Sequence, residues 1–239
     1  MGRFAQLIKQ IARECVNLLF PRGCSGCDAP DEVLCERCSN RLRLCVPFTL
    51  QHSTSHTGFA CAFYTGTVRQ MVLNWKDHGD EECDVPISQA LCRLTDHVFA
   101  HNAELLRSMN RAETIVLVPA PSSSKSVRRR GRSQVKPLGR ALCRHWSSLG
   151  WQVHCLPLLR VCSSAKSVQT SGARQRARRA SQSIILNTRV SSAMQSATVI
   201  LLDDIVTTGA TINQCAKVLD EHGFTVLCAF AVACTPTRE

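Results

Sequence analysis

The stretch Thr198 to Thr211 constrains this chain most: an uninterrupted apolar run, Thr198–Leu202, two adjacent acids, then a short Thr- and Gly-rich turn. A run of Val, Ile and Leu without polar alternation fits a strand buried on both faces, and such strands belong to parallel sheets covered by helices on each side. In open sheets of that kind ligands bind beyond the carboxyl ends of the strands. Asp203 and Asp204 are therefore expected at a crevice, where carboxylates accept hydrogen bonds from neighbouring sugar hydroxyls. Thr207, Thr208, Gly209, Ala210 and Thr211 lead into a helix marked by Ile212, Cys215, Ala216 and Leu219. Gly209 permits close backbone approach, and the helix N-terminus supplies unpaired N–H groups and a favourable dipole for a phosphate. Acids for a ribose beside amides for a phosphate describe a ribose 5-phosphate reader. A strand-end acid serving as a cap or metal ligand is the plainer alternative. Two rival nucleotide readings lack their motifs, since neither G-x-x-x-x-G-K-[ST] nor G-x-G-x-x-G follows a strand.

The same alternation runs through most of the chain. Phe59–Tyr64, Thr114–Val118, Trp151–Leu158 and Phe224–Ala233 are strand candidates. Helical spacing links Val68, Met71, Val72 and Trp75; Ile87, Ala90, Leu91, Leu94 and Val98; and Leu138, Ala141, Leu142, His145 and Leu149, with Gly150 as a stop. The expectation is an α/β fold, a mostly parallel sheet flanked by helices, over residues 59–239. Residues 1–20 read as an amphipathic helix with Phe4, Leu7, Ile8, Ile11, Cys15 and Leu18 on one face, and residues 49–58, rich in Thr, Ser and His, read as a linker.

Between them, residues 21–48 hold Cys24-Ser25-Gly26-Cys27, a seven-residue gap, and Cys35-Glu36-Arg37-Cys38. Two C-x₂-C pairs this close suit paired knuckles donating four thiolates to one tetrahedral zinc, a closed and therefore structural site. Free thiols in a small hairpin are the alternative, and Cys45 and Cys61 are alternative ligands. The chain has fifteen cysteines but no secretory signal, so a reducing cytoplasm is the expected compartment. No apolar run is long enough to span a bilayer.

Lys and Arg total 29 against 18 acids, a formal charge of +11, which points to an anionic partner. The excess is concentrated. Lys125, Arg128, Arg129, Arg130, Arg132 and Lys136 form one cluster, and Arg174, Arg176, Arg178 and Arg179 another. Solvated loops would account for both. Aromatic residues make up 5% of the chain, which weakens any reading built on a base-stacking platform.

The 199–211 stretch resembles the phosphoribosyl pyrophosphate (PRPP) signature of type I phosphoribosyltransferases. Together with the four-Cys module, the chain resembles the ComF family, phosphoribosyltransferase-like proteins associated with competence for DNA uptake, from Cys24 to about Ala233. Tyr64-Thr65-Gly66, Val68-Arg69, Trp75-Lys76 with Gly79-Asp80, Val118-Pro119-Ala120-Pro121, Arg130-Gly131, Gln134, and Gln169 with Arg178 and Arg179 carry that resemblance. Arg132 and Ser133 stand where the family usually has an aromatic residue and an Asn, and an Asn is replaced near Ala180. The resemblance implies PRPP bound with Mg²⁺, Asp203 and Asp204 on the ribose hydroxyls, and Thr207–Thr211 around the 5′-phosphate. It further implies a transferase that displaces pyrophosphate with a nitrogenous acceptor, in the sphere of nucleotide metabolism. Lys125 and Arg130 on one side, with Arg174 and Arg178 on the other, are the candidates for stabilising the leaving pyrophosphate. Lys125 and Arg178 join the acid pair as candidate catalytic residues. A non-catalytic PRPP-binding factor that handles single-stranded DNA with protein partners of an uptake system is the competing expectation. A homodimer is compatible with either.

Overall fold

A computed structural model of the protein describes residues 22–162, 183–187 and 197–236, without the side chains of Lys125 and Ser183. The expected helix at 1–20 lies outside the described residues. In chain order the elements are α1 (Glu36–Asn40), β1 (Val46–Thr49), β2 (Thr57–Phe63), α2 (Gly66–Asp77), a 3₁₀ turn (Glu81–Cys83), α3 (Asp84–His101), α4 (Ala103–Arg111) and β3 (Ile115–Pro119). They continue with α5 (Ser124–Arg130), α6 (Val135–Ser148), β4 (Val153–Cys155), β5 (Leu159–Cys162), β6 (Ser183–Leu186), β7 (Thr198–Val206), α7 (Ala210–Glu221) and β8 (Thr225–Cys234).

Six strands form one sheet in the order β1-β2-β8-β7-β3-β4, parallel throughout except for the antiparallel edge strand β1. The α/β reading holds, with a mostly parallel sheet flanked by helices. Its central strands are unbroken apolar runs because both faces are covered. Ile115 and Leu117 of β3 and Ile200 and Leu202 of β7 face Met71, Trp75, Leu91 and Trp146 from α2, α3 and α6. The alternate residues Val116, Val118, Val199 and Leu201 face Ile212, Cys215 and Leu219 of α7.

This division creates the crevice. From β3 the chain crosses through α6 to β4 on one side, and from β7 it crosses through α7 to β8 on the other, with the two helices on opposite faces. The switch point between β3 and β7 is where such sheets open at their carboxyl ends.

Three expectations need correction. Residues 49–58 are not a linker: they form the β1–β2 hairpin connection, with His52 and His56 at positive φ and a buried Ser53 whose hydroxyl donates to the Leu50 carbonyl. The strand expected over Trp151–Leu158 stops at Cys155. Leu156 makes one last bond to Leu117 O, then Pro157, which has no N–H to donate, releases the chain into β5, which pairs antiparallel with β6 in a separate two-stranded sheet. The first basic stretch is partly helical: α5 is capped by the Ser123 hydroxyl, which accepts from Ser126 N–H at 3.2 Å, and ends at left-handed Gly131 (φ +74°). Its only apolar residue besides the cap region is Val127, so no periodic stripe announces it.

Trp146 is fully buried, donates from Nε1 to Thr95 Oγ1 at 3.2 Å and packs against Phe99 and Phe230. Trp146→Ala is expected to lower unfolding free energy by about 3–5 kcal/mol in a urea titration; a loss under about 1 kcal/mol would show that the α6 face of the sheet does not depend on it.

Candidate functional site

Strand β7 does not end at Leu202 but carries the acids within it, because β8 continues beside it: Asp203 pairs with Ala231 and Val206 with Cys234. On its other edge β3 stops at Pro119, opposite Leu202, and Ala120 N–H makes the last bond to Leu202 O at 2.8 Å. The acid pair thus sits where one neighbour of β7 has ended. Asp204 is buried and Asp203 half-buried. The Asp204 N–H donates to Asp203 Oδ1 and the Ile205 N–H to Asp204 Oδ1, each at 2.8 Å, which fixes both carboxylates against their own strand. Burial, and then the adjacent Asp204 charge, push the Asp203 carboxyl up to about 8.

The cation that compensates Asp204 comes from α2. Lys76 Nζ lies 2.6 Å from Asp204 Oδ2, with side-chain exposures of 17% and 9%. In the sequence, Lys76 stands far from the acid pair and no local pattern links the two. The only signal was its position beside buried Trp75 in the last turn of α2.

After Val206 the chain bends through Thr207, Thr208 and Gly209, and α7 starts at Ala210 with Gly209 as its left-handed cap (φ +74°). Thr207, Thr208, Ala210 and Thr211 are exposed. Asn213 braces the bend: its Nδ2 donates to Gly209 O at 2.9 Å, and its Oδ1 accepts from Gln51 N–H of the β1–β2 connection at 2.6 Å. A side chain at Gly209 would need the left-handed backbone and would stand 3.1 Å from Asn213 Nδ2.

Asp203, Asp204, Thr207, Ala210 and Thr211 border one cavity of about 870 Å³, shared with Lys76, Ser123, Ser126 and Arg130, while Thr208 and Gly209 face away from it. Arg130 Nε holds Asp77 Oδ1 at 2.8 Å, so its charge is partly engaged within the protein. A second recess of about 930 Å³ lies on the other flank of the turn, against Gln51, His56 and Asn213, and contains neither acid. Arg132 makes a bidentate pair with Asp84 (2.7 and 2.7 Å), and Asp84 also accepts from Trp75 Nε1 at 2.7 Å. Gln134, buried, donates from Nε2 to the Lys76 carbonyl at 3.0 Å. These bonds tie the segment after α5 to α2 and α3. Of the other candidates, Lys125 lies in α5, and Arg174 and Arg178, like Gln169, Arg176 and Arg179, lie outside the described residues.

The four cysteines of the N-terminal module do come together. The sulfurs of Cys24, Cys27, Cys35 and Cys38 all lie within 4.8 Å of one another and could bind a metal ion such as zinc. Tetrahedral Zn–S bonds of about 2.3 Å place sulfurs about 3.8 Å apart, so the cluster has the right size and donor set. Backbone N–H groups of Gly26 and Cys35 point at Cys24 Sγ (3.4 and 3.3 Å), and the Arg37 guanidinium beside Cys27 brings that thiol down to about 6. A side chain on Gly26 would meet Cys38 Sγ at 2.7 Å. The module is fastened to the sheet domain at the end of α2, through Asn74 Nδ2 to Ser25 O (2.9 Å) and through Arg22 and Ser25 to Asp80. Cys45 and Cys61 are not part of the cluster.

No protein-family model matches the chain, and no curated protein matches it. Among the described residues, no helix is long and apolar enough to cross a membrane.

Because Asp203 binds its proton more tightly folded than unfolded, folding is favoured below about pH 4, and that contribution is lost as pH rises toward 8. Asp203→Asn, which keeps the shape and removes the charge, is expected to flatten the fall in Tm between about pH 4 and pH 8, the range over which the folded protein holds a proton that the unfolded chain has lost. A wild-type Tm that holds level or rises across that range would contradict the assignment.

Proposed function

We propose that the protein binds PRPP in the 870 Å³ cleft and transfers its ribose 5-phosphate to a nitrogenous acceptor, releasing pyrophosphate. The observation that carries this reading is the sharing of one cleft by the acid pair and by Thr207, Ala210 and Thr211 of the turn, at the switch point of the sheet. A ribose bridging the two would put its vicinal hydroxyls on Asp203 and Asp204 and its 5′-phosphate on the amides of Thr207–Thr211. The pyrophosphate would then face Lys76 and Arg130, whose charges offset the negative charge growing on the leaving group as the C1–O bond breaks. Mg²⁺ enters with the substrate, as the counter-ion of its phosphates. On this reading the domain is a type I phosphoribosyltransferase-like fold and the chain a member of the ComF family, acting in the setting of DNA uptake.

The cysteine module is read as a structural zinc knuckle: four thiolates fill the coordination shell and leave no position for a reactant. Full-length protein is expected to carry about one zinc per chain by elemental analysis and to lose thermal stability on chelation; metal-free protein with an unchanged Tm would remove zinc from the account.

A second reading, PRPP binding without turnover in a protein that handles single-stranded DNA, is favoured by the +11 charge and by exposed Arg128 and Arg129 on α5. Calorimetry with PRPP and Mg²⁺, followed by pyrophosphate release across a panel of bases, distinguishes the two. The transferase reading expects a Kd between about 1 µM and 1 mM, release with at least one base, and loss of both in the double variant Asp203→Asn/Asp204→Asn. Binding without release, together with salt-sensitive association with single-stranded DNA, would favour the second reading. Failure to bind PRPP at all would overturn both.

A further inference from the structure

We infer that Lys76 makes the cleft selective for ligands that carry a vicinal diol and a pyrophosphate group in one molecule. The inference rests on the donor-site reading above and adds a residue and a selection rule to it.

Lys76 and Asp204 form a close pair, 2.6 Å apart, with both side chains largely withdrawn from water. A ligand that engages only one partner of such a pair strands the other, and an unpaired charge in a buried setting is costly. A diol on Asp204 alone leaves the ammonium without its anion. A pyrophosphate on Lys76 alone leaves the Asp204 carboxylate bare beside Asp203. A ligand bearing both groups gives the ammonium a new anion and the Asp204 carboxylate two hydroxyl donors, so the ion pair penalises ribose 5-phosphate and pyrophosphate relative to PRPP.

The geometry allows this exchange without moving the fold. The backbone of Lys76 is held by Gln134 Nε2 on its carbonyl, and its neighbour Trp75 is held by Asp84. The ammonium sits on a four-carbon stem that can swing within the cleft while α2 stays fixed. Arg130 is differently placed: its partner is Asp77, not the ribose-facing acids, so its engagement carries no such coupling.

The test uses full-length protein and three ligands with Mg²⁺, namely PRPP, ribose 5-phosphate and pyrophosphate, measured by calorimetry. Lys76→Met is expected to weaken PRPP and pyrophosphate binding by about tenfold or more while leaving ribose 5-phosphate within about threefold of wild type. The preference for PRPP over ribose 5-phosphate therefore collapses, and Lys76→Arg, which keeps the charge, restores most of it. Equal weakening of all ligands in Lys76→Met, or an unchanged preference, would overturn the inference while the donor site stands. Wild-type protein that binds none of the three would overturn the donor-site reading and this inference together.

Discussion

Two carboxylates on consecutive residues of a buried strand cannot both carry charge without a cation beside them. In this protein Lys76 meets that requirement for Asp204, and Asp203 is left as the member that holds its proton longest. Much of the surrounding structure serves this arrangement. Helix α2 must run to Lys76 without fraying, so its end is held by Gln134 and by the Trp75–Asp84 bond, and Asp84 is in turn held by Arg132. Arg132 therefore works as part of the frame. Destabilising charge at a strand end is tolerated where a site needs it, and the core below supplies the margin.

The sheet provides the place and the helices provide the polarity. Strand β7 outlasts β3, so the acids emerge beside an edge that has lost its partner, while β8 still supports the other edge. The turn that follows is braced from the opposite direction by Asn213, which joins it to the β1–β2 connection. Acid pair and Thr-Gly turn are thus anchored by independent parts of the chain. They keep their spacing because both belong to one continuous segment, Asp203 to Thr211.

Much of this was legible in the sequence, for physical reasons. Strands buried on both faces must be apolar throughout, so β3, β7 and β8 announced themselves, and the helical stripes of α2, α3, α6 and α7 did the same. The acid pair and turn were legible because their chemistry is local and contiguous, and the cysteine cluster because its ligands come in two short pairs. What escaped was non-local or non-periodic. Lys76 meets Asp204 across a distance in sequence that no pattern spans. Helices α4 and α5 have too few apolar residues to form a stripe: α4 buries only Leu105 and Met109. Residues 49–58 have the composition of a linker because a hairpin connection needs the same small polar residues.

The last turn of α2 has a consequence for how the chain can vary in length. Within four residues, Asn74 reaches the cysteine module, Lys76 the acid pair and Asp77 the Arg130 guanidinium. Each residue of an α-helix advances about 1.5 Å and rotates about 100°. One residue inserted or deleted upstream in α2 would swing all three side chains away from their partners at once, and no single compensating substitution could recover them. The helix is therefore locked in register from Gly66 to Asp77, and change in length is confined to connections whose residues make no such distant bonds.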